Sequence, residues 1–264
     1  MGRRDLDLLP PRIVVAHRGA SATHPENTLA AFEEAIRVGA PMIEFDVRLT
    51  ADGVPVVLHD PDLARTTDGR GRVHEVTAEE LRRLSAGGPG GPREPVPTLR
   101  EVLELLSGRA GADIEVKHLP GEPGYEPGRE AVLEATLAEL EAAAFVGPVV
   151  VTSFNPATVR RCRRLAPDVP TGLLTTASVD GDDALRLAAA EGHDLLLPEV
   201  RVVLAAGRAF VERVHAAGLR LGTWTVDDPE AIERLYGFGV DAVATNDPEV
   251  AVPIRDRFRM ASSG

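Results

Sequence analysis

Apolar positions along the chain fall into two alternating kinds of stretch. Short strand-like runs recur at 13–17, 42–47, 113–117, 149–153, 171–174, 195–198, 219–225 and 242–246, most of them largely apolar, whereas 113–117 alternates charged with apolar residues. Runs of that length and composition predict buried strands. Between most of them lie stretches with a helical repeat. At 29–38, Leu29, Phe32 and Ile36 share one face and Gly39 follows as a stop signal. Similar stretches cover 98–106, 129–143, 156–165, 182–191, 207–216 and 229–236. Regular strand–helix alternation predicts a parallel sheet covered by helices.

One strand breaks the alternation. The run 54–59 is joined to 42–47 by residues 48–53 alone, with Asp52-Gly53 as a hairpin turn signal. A parallel crossover needs about a dozen residues or more, so 54–59 is predicted as an antiparallel flap on the rim. Eight strands remain for the sheet. Eight parallel strands within 264 residues predict an α/β fold of the closed (β/α)₈ barrel kind, as one domain over 1–264. A doubly wound open sheet is the alternative, weakened because no Gly-x-Gly-x-x-Gly follows the first strand. Segment 60–97, with its run Gly87-Gly88-Pro89-Gly90-Gly91-Pro92, reads as a small insertion after the hairpin, without a core of its own. Residues 119–128, rich in Gly and Pro and containing Tyr125, read as a loop over the barrel mouth, either lid or plain connection.

Composition narrows the function classes. A hydrophobic share of 44% with 27% charged residues is that of a chain able to bury a sizeable core. No apolar run approaches the ~18–20 residues of a membrane-spanning helix, so no stable membrane insertion is expected. The opening MGRRDLDLLPPR lacks the apolar core of a secretory signal, and Cys162 is the single cysteine. Both point to a cytoplasmic setting. With 29 basic against 41 acidic residues, the net charge of −12 argues against nucleic-acid binding.

Barrel enzymes build their sites at the C-terminal strand ends, so polar residues there are the candidates. The first strand ends in His17-Arg18-Gly19. The second carries Glu44 and Asp46 and the next Glu115 and Lys117; each pair is two residues apart and therefore faces one way. The flap ends in His59-Asp60, and later strands end in Thr152-Ser153, Pro198-Glu199, Trp224 and Thr245-Asn246. Taken singly, each is most simply a structural group. Together they concentrate charge that is expensive to bury without a ligand. Three carboxylates without a thiol suit a hard divalent cation such as Mg²⁺ or Ca²⁺. Arg18 and Lys117 beside it make a pocket for a tetrahedral anion. Two histidines can move protons near neutral pH. The set describes phosphoryl-transfer chemistry. The other five histidines are expected on the surface or in loops. Cys162 stands in an arginine run, Arg160 to Arg164, whose cations favour a lowered thiol pKa, on a helix far from the strand ends.

The segments AHRGASATHPENTLAAF, IEFDVRLTADGVPVVLHD, RTTDGRG, PTLREVL, IEVK, TSF, GTWTV and ATNDP together resemble the glycerophosphodiester phosphodiesterase family, from His17 to about Pro248. The resemblance implies a (β/α)₈ barrel with a small insertion after the rim hairpin. It implies metal ligation by Glu44, Asp46 and Glu115, and an acid–base pair in His17 and His59. Arg18 and Lys117 match phosphate-contacting positions, and Trp224 matches an aromatic wall of the alcohol pocket. Asn27 either supports the first-strand loop or the metal site or, with Thr28, caps the first helix. The implied substrate is a glycerophosphodiester, cleaved to sn-glycerol 3-phosphate and an alcohol. The glycerol 2-hydroxyl attacks phosphorus to give a cyclic phosphate, which water then opens. A lysophospholipase-D-like phosphodiesterase and an inactive metal- or phosphate-binding barrel are the alternatives. Asn246 stands where many members of the family carry an acid.

Overall fold

Nine strands and nine helices are present in the computed structural model, which describes residues 12–87 and 93–261. The strands are β1 (Ile13–His17), β2 (Met42–Leu49), β3 (Pro55–Val57), β4 (Gly111–Val116), β5 (Val149–Ser153), β6 (Thr171–Thr175), β7 (Leu195–Pro198), β8 (Arg220–Thr223) and β9 (Ala242–Thr245). All but β3 are parallel, in the ring order β1, β2, β4, β5, β6, β7, β8, β9, and the β1–β9 pairing closes the barrel. The closed form thus stands, and the open doubly wound sheet is excluded. The flap β3 pairs antiparallel with β2, Val47 opposite Val57.

The helices are α1 (Leu29–Arg37), α2 (Ala78–Arg82), α3 (Leu99–Leu106), α4 (Ala131–Ala142), α5 (Pro156–Leu165), α6 (Gly181–Glu191), α7 (Val200–Ala216), α8 (Pro229–Phe238) and α9 (Pro248–Ala261). Local chemistry starts and stops them. Thr28, Asn155, Asp180 and Asp228 cap α1, α5, α6 and α8 through side-chain oxygens, and Pro begins α5 and α8. Thr77 with Glu80 and Thr98 with Glu101 form capping boxes. Gly192 and Gly239 end α6 and α8 in the left-handed conformation.

Three departures from the periodicity reading have physical causes. Helix α7 begins at Val200, ahead of the predicted 207, and is broken at Gly207 (φ 66°, ψ −163°). Helix α9 is polar, arginine-rich and contains Pro253, so its repeat is faint. Helix α2 is too short to show one. The insertion does carry a small apolar cluster: Leu63, Val73, Leu81, Ala86 and Val96 pack on Val56 and Leu58 of the flap. Residues 1–11 and 88–92, which hold the reading of the N-terminal segment and most of the Gly/Pro run, lie outside the described residues.

Strand alternation sorts side chains into two cores. Ile13, Val15, Met42, Val150, Leu174, Leu195, Leu197 and Ala242 fill the barrel, while Val14, Ile43, Phe45, Ile114, Val151 and Val243 face the helices. Space inside is tight around Leu197. A Cβ on Gly172 or Gly222 would come within 2.6 or 2.5 Å of its methyl groups, so a side chain at either position would force Leu197 to move. No helix among the described residues is long and apolar enough to cross a membrane.

The arginine run is a solvated face of α5, with Arg160 and Arg161 paired to Glu191 and Glu134. Cys162 points the other way and is buried. Burial pushes its thiol up to about 12, outweighing the opposing pull of Arg163. The expectation of a lowered value is therefore wrong: desolvation of the thiolate outweighs cations that are themselves solvated. At pH ~8, native Cys162 is expected to react with an aromatic disulfide at least about 10²-fold more slowly than in the unfolded chain. Equal rates in a thiol-release assay would contradict its burial.

Candidate active site

The site forms because three neighbouring strands end in register. In β1 and β2, His17 pairs with Glu44; in β2 and β4, Asp46 pairs with Glu115. Alternation turns Glu44 and Asp46 inward together, and likewise Glu115 with Lys117. A cavity of about 220 Å³ opens at this end, lined by His17, Arg18, Glu44, His59, Glu115, Lys117 and Trp224 above the apolar barrel interior. Asp46, fully buried, lies behind it.

Glu44, Asp46 and Glu115 each bring an oxygen within 4.8 Å of the others, and all three are buried. Glu44 Oε1 accepts no hydrogen bond. Asp46 Oδ1 and Glu115 Oε1 are met only by Lys117 Nζ, at 3.0 and 2.5 Å. Buried, under-satisfied carboxylate oxygens without a thiol fit a hard divalent cation. The electrostatics agree. Burial, then the charges of Asp46 and Glu115, push the Glu44 carboxyl well above its ordinary range. Burial lifts Glu115 to about 7 against the pull of Lys117. Burial also works against ionised Asp46, but Lys117 and Arg18 overcome it and hold that carboxyl far below its ordinary value. Three acids on two cations leave room for further positive charge.

Asn27 belongs to this centre. Its Nδ2 donates to Asp46 Oδ2 at 2.8 Å, from a residue in the left-handed region (φ 59°). Capping of α1 falls to Thr28 alone, whose hydroxyl accepts from Ala31 N. Arg18 is also left-handed (φ 57°), and its backbone N–H donates to Glu44 Oε2 at 2.9 Å. Its guanidinium lies 3.3 Å from Asp46 Oδ2 and donates to Glu26 Oε1 at 2.9 Å. Gly19 follows at φ 81°, where a Cβ would strike Ala31 at 2.7 Å; only glycine lets the loop close on α1.

The two histidines are held differently. His17 Nδ1 lies 2.7 Å from the side-chain oxygen Oδ1 of Asn246 and its Nε2 3.9 Å from Glu44 Oε2. Burial, then Arg18, lowers its pKa to about 4. His59 Nδ1 lies 2.6 Å from Asp60 Oδ1, and burial again lowers its pKa, against Asp46 and Asp60. Asp60 is gripped by Arg65, which also donates to both oxygens of Glu26 at 2.8 Å. Arg18, Glu26, Arg65 and Asp60 thus form one ion-pair chain across the rim, which ends in the hydrogen bond between Asp60 and His59.

Trp224 donates from Nε1 to the Leu197 carbonyl at 2.9 Å and meets Phe154 edge to face, ring centres 5.2 Å apart. Phe154 in turn lies 5.8 Å from Lys117 Nζ. Sequence reasoning assigned no role to Phe154, Glu26, Asp60 or Arg65, although all lie in or beside quoted segments. Tyr125 stacks on His118 and lines a separate cleft of about 490 Å³ with Arg48 and Glu122, not the 220 Å³ cavity. Arg48 pairs with Glu122 at 2.9 Å and donates to the His59 carbonyl at 2.7 Å, tying that loop to the flap. His118 and His193 lie in loops, as expected, and both are buried. Tyr125 covers the first, and the second sits 3.1 Å from the Thr171 hydroxyl.

Comparison with known proteins agrees with the barrel fold. Residues 17–250 match the model of the glycerophosphoryl diester phosphodiesterase family. A glycerophosphodiester phosphodiesterase of Caldanaerobacter subterraneus is 38% identical over 249 residues, spanning 91% of this chain and 96% of its own. A phosphodiesterase of Oleispira antarctica, solved with the product sn-glycerol-3-phosphate, superposes with a TM-score of 0.82 at 29% identity, over 95% of this chain and 98% of that one. A glycerophosphodiester phosphodiesterase of Agrobacterium tumefaciens gives 0.77 at 28% identity, over 92% and 99%. The chain thus belongs to the glycerophosphoryl diester phosphodiesterase family, and with it to the phosphodiester hydrolases.

Proposed function

We propose that this protein hydrolyses glycerophosphodiesters to sn-glycerol 3-phosphate and an alcohol, with one divalent cation, Mg²⁺ or Ca²⁺, held by Glu44, Asp46 and Glu115. The observation that carries the reading is the buried triad of under-satisfied carboxylates set beside Arg18, Lys117 and two histidines in one cavity. When bound there, such a cation polarises phosphoryl oxygens and offsets their charge. Arg18 and Lys117 bring positive charge to the diester phosphate. Trp224 and Phe154 give the cavity an aromatic wall for the carbon skeleton.

Proton movement falls to the histidines. One takes the proton of the glycerol 2-hydroxyl as that oxygen attacks phosphorus, and the P–O bond to the alcohol breaks as the other histidine protonates the leaving oxygen. The five-membered cyclic phosphate is then opened by water, with the two rings exchanging roles. The single free cysteine and the absence of a membrane-spanning helix among the described residues support a cytoplasmic setting for this work.

A coupled assay for sn-glycerol 3-phosphate, run over several glycerophosphodiesters with and without chelator, tests the reading. Release of product that chelator abolishes and Mg²⁺ or Ca²⁺ restores is expected. A 2-deoxy diester keeps its phosphate contacts but lacks the nucleophile, so its kcat is expected to fall on the order of 10³-fold or more. Comparable kcat for the deoxy substrate would mean that water or a protein group attacks directly.

A further inference from the structure

We infer that Asp227 is a positioning residue that acts through Asn246 to hold the ring of His17 as its Nδ1–H tautomer, leaving Nε2 bare on the side of the carboxylate triad. This rests on the role proposed above for His17 in proton transfer. Barrel closure makes the arrangement: β1 pairs with β9, Ala16 opposite Thr245, so Asn246 comes to lie beside His17. Asp227 reaches the same point from the loop between β8 and α8.

The hydrogen bonds leave one assignment. Asp227 Oδ1 accepts from Thr245 Oγ1 at 3.0 Å and from the Asn246 backbone N–H at 2.8 Å. Its Oδ2 faces the Asn246 side chain at 2.7 Å. A carboxylate only accepts, so the amide group turned toward it is the NH₂. The Asn246 carbonyl oxygen is thereby turned to His17 Nδ1 at 2.7 Å, where it also meets the Ser21 hydroxyl at 3.0 Å. The reversed amide would set its oxygen against the Asp227 carboxylate at hydrogen-bond distance, which is repulsive. A carbonyl oxygen facing Nδ1 requires the proton on Nδ1, and a neutral ring then carries its lone pair on Nε2. That nitrogen is the one 3.9 Å from Glu44 Oε2. The neutral amide relays the orientation without placing a charge on the ring. Asp227 touches neither ring nor cavity, so its effect passes through Asn246.

The test is ¹⁵N NMR of the His17 ring nitrogens, assigned by comparison with His17→Gln and recorded with chelator and with Mg²⁺. Wild-type protein is expected to show a protonated Nδ1 and a bare Nε2. In Asp227→Ala the Asn246 amide loses its anchor; the two nitrogens are expected to move toward an average of both tautomers. There kcat should fall roughly 10- to 100-fold with KM within about twofold. In Asp227→Asn the side-chain oxygen is expected to stay with the two donors that meet Oδ1, which turns its NH₂ toward Asn246; the Asn246 amide should then reverse and the ring move to the Nε2–H tautomer, with kcat lowered as in the alanine variant. A wild-type ring protonated on Nε2, or an Asp227→Ala ring that stays wholly Nδ1–H, would overturn the inference. Failure of the substrate proposal would appear separately, as no sn-glycerol 3-phosphate from wild-type protein, with the ring signals still readable.

Discussion

Alanine at His17 or His59 is expected to lower kcat by about 10²–10⁴-fold, the usual worth of one positioned acid or base, with KM changed only a few-fold. Both rings line the cavity that contains Arg18, Lys117 and the carboxylates, and each is oriented through Nδ1 by a group outside it. Truncation removes the proton carrier and leaves the anion clamp in place. Substrate binding should therefore survive, measurable by calorimetry with a non-hydrolysable phosphonate. The double variant should lose less than the product of the two single losses, because both rings serve one proton-transfer cycle. A variant that lost affinity alone would move its histidine from proton transfer to binding.

Glu44→Gln should lose cation-dependent turnover and cation-dependent stability together, because a neutral amide is a weak ligand for a hard cation. In wild-type protein, Mg²⁺ or Ca²⁺ at about 100 times its Kd is expected to stabilise the fold by about 2.7 kcal/mol. The pH dependence of the metal-free protein follows from the same carboxyls. Burial lifts Glu115 and Asp113 to about 7 from ordinary values of 4.5 and 3.8. A carboxyl with a raised folded-state value binds its proton more tightly folded than unfolded. Its stabilising effect is therefore full below the ordinary value and is lost as pH rises toward about 7. Thermal melts in chelator should show a midpoint that falls from about pH 6.5 to about pH 8, above the range in which His17 and His59, with their lowered values, act in the opposite sense, and added cation should flatten the curve. Glu44→Gln removes one of the repelling charges, so its metal-free midpoint should lie above wild type at the upper end. A midpoint that rises from about pH 6.5 to about pH 8, or wild-type turnover that persists in chelator, would remove the cation from the triad.

Much of this centre was legible in the chain because it depends on backbone geometry repeated residue by residue. Side chains two apart in a strand face one way, so Glu44 with Asp46 and Glu115 with Lys117 could be read as inward pairs, and the short 48–53 link identified β3 as a rim flap. Helix caps are equally local, as at Thr28, Asn155 and Asp228. Weak local signals were lost. Helix α9 hides its repeat behind arginines and Pro253, and the helical residues before Gly207 are too few to show a period.

What the sequence determined by itself is therefore the alternation of strands and helices, the side of each strand its charges occupy, and the chemical kinds gathered at the strand ends. Only the tertiary structure decided how those groups are held. His17 meets Asn246 from 229 residues away, and that contact exists because the last strand closes on the first. Arg65 reaches Glu26 across 39 residues, joining Arg18 to His59 through a chain that no spacing announces. Cys162 sits among arginines, yet burial raises its thiol. His118 and His193 read as loop residues and are enclosed by neighbours. The reason is common to all four. Spacing along a strand or helix is set by covalent geometry, whereas desolvation and hydrogen-bond partnership are set by whatever surface the closed barrel brings against a side chain.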